Sequence, residues 1–170
     1  MTGSAPTRAL RINTSELRRQ PGTRRQVEVS IAPGDLGIDD DRITADVDVA
    51  IDLESTTDGI VAGGTVRAGW ADSCRRCLRP IEGVAVAHVD ELYQEHVTDA
   101  DAFPIEGDQL DLAPMVRELV LLELPQAPLC RDDCAGICPV CGRDRNVDPC
   151  ACDQVVRDER WAVLDDLDLE

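Results

Sequence analysis

Ile43-Thr44-Ala45-Asp46-Val47-Asp48-Val49-Ala50-Ile51-Asp52-Leu53 is the stretch on which the fold turns. Apolar residues hold the odd positions, while Thr44, Asp46, Asp48, Ala50 and Asp52 hold the even ones. A period of two places these sets on opposite faces of a strand, one toward a core and one toward water. Upstream, Val27, Val29 and Ile31 alternate in the same way until Pro33-Gly34 ends the run. Downstream, Thr57-Asp58-Gly59 reads as a turn into Ile60-Val61-Ala62 and on to Val66, Ala68 and Trp70. Gly63-Gly64, inside that run, reads as a bulge or turn. Past a Cys74/Cys77 turn, Val84, Val86 and His88 alternate with Ala85, Ala87 and Val89. Four strands with mostly short connections predict an antiparallel β-sheet or partly open barrel, with Cys74 and Cys77 at a hairpin end.

The flanks are less regular. Leu10-Arg11-Ile12 predicts a short strand, and Thr14 or Ser15 a hydroxyl cap on a helical turn through Glu16 and Leu17. Pro21-Gly22 then breaks the chain's course. Residues 98–109 read as an acidic loop. Asp111 reads as an N-cap, with Pro114 tolerated in the first turn of a helix. Leu112, Met115, Val116, Leu119, Val120 and Leu122 continue it at helical spacing until Pro125 and Pro128 stop it. Trp161, Leu164 and Leu167 predict a last helix near Asp158 to Leu167. The expected fold is α+β, a sheet with packed helices and a C-terminal Cys-rich zinc module. The expected division is a basic segment over 1–27, a sheet-and-helix domain over 28–125, and a zinc-binding module with the terminal helix over 126–170.

Composition narrows the function. The chain has 170 residues and a formal charge of −17, which opposes broad adhesion to a phosphate backbone. Arg8, Arg11, Arg18, Arg19, Arg24 and Arg25 against Glu16 and Glu28 leave residues 1–28 at +4 and the remainder at −21. With Trp70, Tyr93, Phe103 and Trp161 the sole aromatics, the core must be aliphatic. No apolar run reaches the roughly 18 residues of a membrane-spanning helix. Met1 to Ile12 show no secretory h-region, which predicts reduced cysteines rather than disulfides. His88 and His96 read as surface or packing residues, and no serine has a nucleophile-elbow context. No Gly-rich phosphate loop appears, and neither an enzyme nor a small-molecule substrate is expected.

The cysteines carry the sharpest signal. Six fall between Cys130 and Cys152, around the core Gly136-Ile137-Cys138-Pro139-Val140-Cys141-Gly142, and Cys74 and Cys77 stand upstream. A Cys-x2-Cys turn aims two thiolates at one point, and a following glycine relieves the bend. Cys138/Cys141 therefore supplies one half of a four-thiolate zinc site. Spacing does not decide whether Cys130/Cys134 or Cys150/Cys152 completes it, nor whether Cys74/Cys77 joins the remaining pair in a second site. One or two zinc ions are expected, with Cys74, Cys77, Cys130, Cys134, Cys138, Cys141, Cys150 and Cys152 as the pool of ligands. A closed site of this kind fastens structure and leaves no position for substrate. Iron–sulfur ligation and redox exchange at Cys74-Arg75-Arg76-Cys77 are the competing chemistries. Arg75, Arg76 and Arg79 on the first turn, with Arg143 and Arg145 near the second, are candidate RNA contacts on rigid metal turns.

Taken together, these motifs resemble the YceD family, the large ribosomal RNA subunit accumulation proteins. The resemblance runs through Cys74-Arg75-Arg76-Cys77-Leu78-Arg79-Pro80, Asp111-Leu112-Ala113-Pro114-Met115-Val116-Arg117-Glu118 and Leu121-Leu122-Glu123-Leu124-Pro125. It continues through Pro128-Leu129-Cys130, Cys134 to Gly142 and Cys150-Ala151-Cys152, and closes with Asp158-Glu159-Arg160-Trp161-Ala162-Val163-Leu164. It implies a cytoplasmic, non-catalytic factor supporting large-subunit ribosomal RNA, acting on precursor RNA or on a basic large-subunit ribosomal protein. The competing reading is a thiol-disulfide or metal-dependent redox protein using Cys74 and Cys77.

Overall fold

Alternation becomes strand pairing through a register that keeps each face uniform. In the computed structural model, which describes residues 8–98, 100–152 and 160, β2 (Arg24–Ile31) runs antiparallel to β3 (Val47–Ser55). Val27 faces Ile51, Val29 faces Val49 and Ile31 faces Val47 on the inner side. On the outer side Arg24 pairs with Glu54 at 2.9 Å, and the Ser30 hydroxyl donates to Asp48 at 2.7 Å. A one-residue slip would turn both sets over, so burial holds this register.

β3 pairs antiparallel with β4 (Ile60–Ser73), after a turn in which the Thr56 N–H donates to the Gly59 carbonyl. The ladder is unbroken from Asp48↔Arg67 to Ser55↔Ile60, so Gly63 and Gly64 form neither the expected bulge nor a turn. Gly64 instead allows close approach: at φ +151, a Cβ there would lie 2.2 Å from the Ala50 carbonyl oxygen. β4 neighbours β5 (Pro80–Gln94), and the short connection between them admits only an antiparallel hairpin. Ala85, Ala87, Val89 and Tyr93 point β5 into the core, leaving His88 exposed.

The edge departs from expectation. β6 (Phe103–Pro104) pairs parallel with the end of β5, placing Phe103 opposite Tyr93 with their rings stacked at 5.3 Å. The five-stranded sheet, in order β2-β3-β4-β5-β6, is therefore mixed rather than wholly antiparallel, and its two edges do not meet as a barrel. A second sheet of two short strands joins β1 (Arg11–Asn13) to β7 (Gln109–Asp111), antiparallel. The segment read as an acidic loop thus contains β6, buried Ile105 and the start of β7.

α1 (Ala113–Glu123) is the one α-helix whose full span is described. Asp111 lies just before it and accepts the Ala113 N–H at 2.9 Å. Met115, Val116 and Val120 enter the same aliphatic core as Ile12, Val47, Leu53 and Leu110. The expected terminal helix near 158–167 lies, apart from Arg160, outside the described residues. At the other end, no hydroxyl caps the 3-10 turn Leu17–Arg19; Thr14 accepts the Arg18 N–H through its carbonyl, and its own hydroxyl is buried without a partner. The expected long strand begins at Val47, while Ile43 makes a single bridge to Trp70. Asp40 explains the delay, because its carboxylate takes the Arg42 backbone and guanidinium into a turn. No helix among the described residues is long and apolar enough to cross a membrane.

By internal contacts the chain divides in two. One unit contains the sheets and α1, up to Asp72 and over Glu82–Gln126; the other joins Ser73–Ile81 to the chain from Ala127 onward. All eight cysteines lie in the second unit.

Candidate metal centres

Two short turns are built alike. Cys74-Arg75-Arg76-Cys77-Leu78-Arg79 closes with Leu78 N–H donating to the Cys74 carbonyl at 2.9 Å and Cys74 N–H donating to the Arg79 carbonyl at 2.8 Å. Cys138-Pro139-Val140-Cys141-Gly142-Arg143 repeats this, with Gly142 N–H to Cys138 and Cys138 N–H to Arg143, both at 2.8 Å. The residue after the second cysteine is left-handed in both, Leu78 at φ 59 and Gly142 at φ 72. That bend frees amides to face the sulfurs, which is how a knuckle prepares two thiolates for one ion.

Each knuckle meets a different second pair. Cys74 and Cys77 gather with Cys130 and Cys134; Cys138 and Cys141 gather with Cys150 and Cys152. Within each group all sulfurs lie within 4.8 Å of one another. Cys74 Sγ stands 3.8 Å from Cys134 Sγ, and Cys77 Sγ 3.6 Å from Cys130 Sγ. Tetrahedral geometry with metal–sulfur bonds near 2.3 Å requires sulfur separations of about 3.8 Å. The pairing that spacing left open is thus decided by position: the β4–β5 hairpin end brings Cys74 and Cys77 to Cys130 and Cys134. Among the described residues no other group of three or more His, Cys, Asp or Glu is gathered tightly enough to hold an ion.

The electrostatics of each group also fit a cation. Burial works against the Cys74 thiolate, yet amides of Cys130, Cys77 and Arg76 outweigh it and draw the thiol down to about 6. Burial and the adjoining thiols push Cys130 up to about 12. In the second group, amides of Cys141 and Val140 draw Cys138 down to about 6, while Cys141 and Cys150 push Cys152 up to about 12. Four thiols held this closely cannot all ionise unless a cation lies between them. The groups differ in exposure. Cys74, Cys77 and Cys134 are buried in the first, whereas in the second Cys141 is exposed and Cys150 and Cys152 are half-buried.

Asn146, which spacing did not single out, organises the first group. Its Nδ2 donates to Cys134 Sγ at 3.4 Å and to Asp144 Oδ1 at 2.6 Å. Its Oδ1 accepts the Ala135 N–H and Arg131 Nη2, each at 2.8 Å. The visible signal was Asp144-Arg145-Asn146, where Asp144 also takes the Asn146 N–H in a local turn.

The arginines separate by what they already hold. Arg76 Nη1 donates to the carbonyls of Asp132 and Cys134, both at 3.1 Å. Arg79 pairs with Asp144 at 3.2 Å, and Arg143 with Asp148 at 3.0 Å. Half-buried Arg145 joins its backbone N–H to Gly136. Arg75 is exposed, and its guanidinium has no partner among the described residues.

The profile of the YceD family, described as large ribosomal RNA subunit accumulation protein, matches residues 62–168. An uncharacterised protein of Mycobacterium tuberculosis is 30% identical over 165 residues, covering 90% of this chain and 78% of its own. One of Mycobacterium leprae is 30% identical over 130 residues, covering 72% and 59%. A chloroplastic protein of Arabidopsis thaliana, named large ribosomal RNA subunit accumulation protein YCED homolog 1, is 32% identical over 65 residues, 38% of this chain and 20% of its own. No solved structure matches.

Proposed function

We propose that this chain, which belongs to the YceD family, is a cytoplasmic, non-catalytic binding factor that supports accumulation of large-subunit ribosomal RNA. Its eight cysteines hold two structural zinc ions, one in Cys74, Cys77, Cys130 and Cys134, the other in Cys138, Cys141, Cys150 and Cys152. The observation that carries this reading is the completeness of both groups: four thiolates fill a tetrahedral ion and leave no position for water or substrate. Zinc suits the all-sulfur donor set, and sulfurs held within 4.8 Å surround a single ion rather than a multi-iron cluster.

Charge divides the binding work. The Cys-rich unit, Ser73–Ile81 with Ala127–Glu170, carries eight arginines against eleven acidic residues, a net of −3, and six of those arginines lie between Arg75 and Arg145 on or near the metal turns; the other unit carries −14. The rest of the chain is strongly acidic, and so suited to a basic large-subunit ribosomal protein, while the Cys-rich unit is suited to limited contact with precursor RNA. Redox exchange at Cys74 and Cys77 has less support. An exchanging dithiol needs an accessible sulfur, and these two residues are 0% and 8% exposed.

Metal analysis of freshly purified protein is expected to give two zinc ions per chain. Cells lacking the protein are expected to show a lowered ratio of large- to small-subunit ribosomal RNA. An unchanged ratio overturns the functional reading, and metal-free, folded protein overturns the structural one.

A further inference from the structure

We infer that the tip of the first knuckle, Leu78 beside Arg75, is a contact for single-stranded RNA. The inference rests on the ribosomal RNA reading above and names the surface that would serve it.

The two knuckles provide an internal comparison. At the same left-handed position, the second knuckle has Gly142 and the first has Leu78. Glycine enters this conformation freely, whereas leucine enters it against a clash of its Cβ with the backbone. A left-handed leucine would be understandable if its side chain filled a core. Leu78 is instead 62% exposed. Neither the backbone nor the packing of the unit calls for leucine here, and a strained residue of this kind points to function.

Its surroundings specify the partner. From Ser73 to Ile81 there is no acidic residue. Arg76 and Arg79 are engaged within the unit, so Arg75 is the knuckle's outward cation. Backbone bonds fix its place, with Arg75 N–H on the Pro128 carbonyl at 2.9 Å and the knuckle closed by Cys74 and Leu78. An exposed apolar side chain and, three residues before it on the same closed turn, a guanidinium without a partner among the described residues fit an unstacked base and its phosphate. A duplex offers neither exposed base faces nor relief from repulsion by the acidic remainder of the chain. The second knuckle lacks the combination, because Pro139 stands where the first has Arg75 and Gly142 where it has Leu78, and its arginine, Arg143, is paired with Asp148 as Arg79 is with Asp144.

The test uses zinc-loaded full chain, a labelled single-stranded RNA of about 12 nucleotides, the matching duplex and a polyglutamate peptide, at low salt. Leu78→Gly is expected to retain two zinc ions and a melting temperature at or above wild type, yet to bind the single strand about tenfold more weakly. Arg75→Ala is expected to weaken binding comparably, and Arg24→Ala, a charge-matched control on β2, to change it little. A lower melting temperature with unchanged binding would show that Leu78 serves packing and overturns the inference. Equal binding of the duplex, or preference for polyglutamate, overturns it as well. In cells, full rescue of the ribosomal RNA ratio by Leu78→Gly overturns this inference alone, whereas a ratio insensitive to loss of the protein overturns the function it rests on.

Discussion

Replacing Cys130 or Cys150 with serine separates the work of the two metal groups. Serine does not supply a thiolate, so each variant is expected to lose one zinc ion and keep the other. The donor sets are identical, and the metal-binding contributions therefore largely cancel in the comparison. What remains is the length of chain each ion ties together. In the first group the metal joins Cys77 to Cys130, 53 residues apart. In the second it joins Cys141 to Cys150, nine apart in sequence. Treating each ion as a cross-link, closure of the longer loop removes about 4.2 kcal/mol of unfolded-state entropy and the shorter one about 2.6 kcal/mol. The first group also buries three of its sulfurs, so its loss strands more desolvated thiols.

Cys130→Ser is therefore expected to cost at least about 1.5 kcal/mol more than Cys150→Ser, or about 3–6 °C in melting temperature for a chain of this size. The assay is thermal unfolding under reductant, followed by far-UV circular dichroism, with zinc counted before each melt. Equal melting temperatures, or a lower one for Cys150→Ser, refute the cross-link reasoning. Two zinc ions in either variant refute the assignment of ligands.

Asn146→Ala is expected to weaken zinc in the first group by about 10–100-fold, because the amide that orients Cys134 is lost. Chelator competition in a Cys150→Ser background isolates that ion, and unchanged affinity would remove Asn146 from the site. Gly64→Ala is expected to cost at least about 3 kcal/mol in urea unfolding, since its Cβ would stand 2.2 Å from the Ala50 carbonyl; near-native stability would contradict the β3–β4 register. Asp40→Asn is expected to cost about 1 kcal/mol by breaking its 2.8 Å pair with Arg42. The Arg42 guanidinium holds the Asp40 carboxyl below its ordinary value, against the opposing effect of burial. The pair's contribution is thus fully present above the unfolded value of about 3.9 and lost as pH falls through the lower folded one. A difference between wild type and variant that disappears near neutral pH would show another group at work. For single-stranded RNA, contact by Arg75 alone predicts a slope of log affinity against log salt near −0.7, whereas contact by Arg75, Arg76, Arg79, Arg143 and Arg145 together predicts about −3.5.

The parts of the fold legible in the sequence were those where one face is buried along an unbroken run. Ile43 to Leu53 declared a strand because every second residue had to reach the core, and the structure needed only to move its start to Val47. β1 and β7 were not legible as partners. Each is three residues long, and Arg11 meets Asp111 across 100 positions, so no local period encodes the pairing. Phe103 was hidden in an acidic segment because its strand spans two residues and takes its meaning from Tyr93. Gly64 looked like punctuation, although its freedom serves a close approach inside a continuous ladder. Thiol identity and knuckle spacing were local, and legible. Which pair completes which group depends on where the hairpin end goes, and that is tertiary.

The same distinction governs the arginines. Counted along the chain, five of them on metal turns look like one basic surface. A zinc ion with four thiolates carries a net charge of −2, so two such ions call for nearby cations before any partner arrives. Arg76 meets part of that demand from inside, donating to the carbonyls of Asp132 and Cys134 around the first group, and Arg79 is held by Asp144, the residue that also seats Asn146. These arginines are parts of the fastening, and replacing them would disturb the metal site before it disturbed recognition. Arg75 and Leu78 have no such duty: one is a cation without a partner among the described residues, the other an exposed leucine where the twin turn has glycine. Sequence gives all five arginines equal weight, and only their hydrogen bonds show which of them the protein has left for something else.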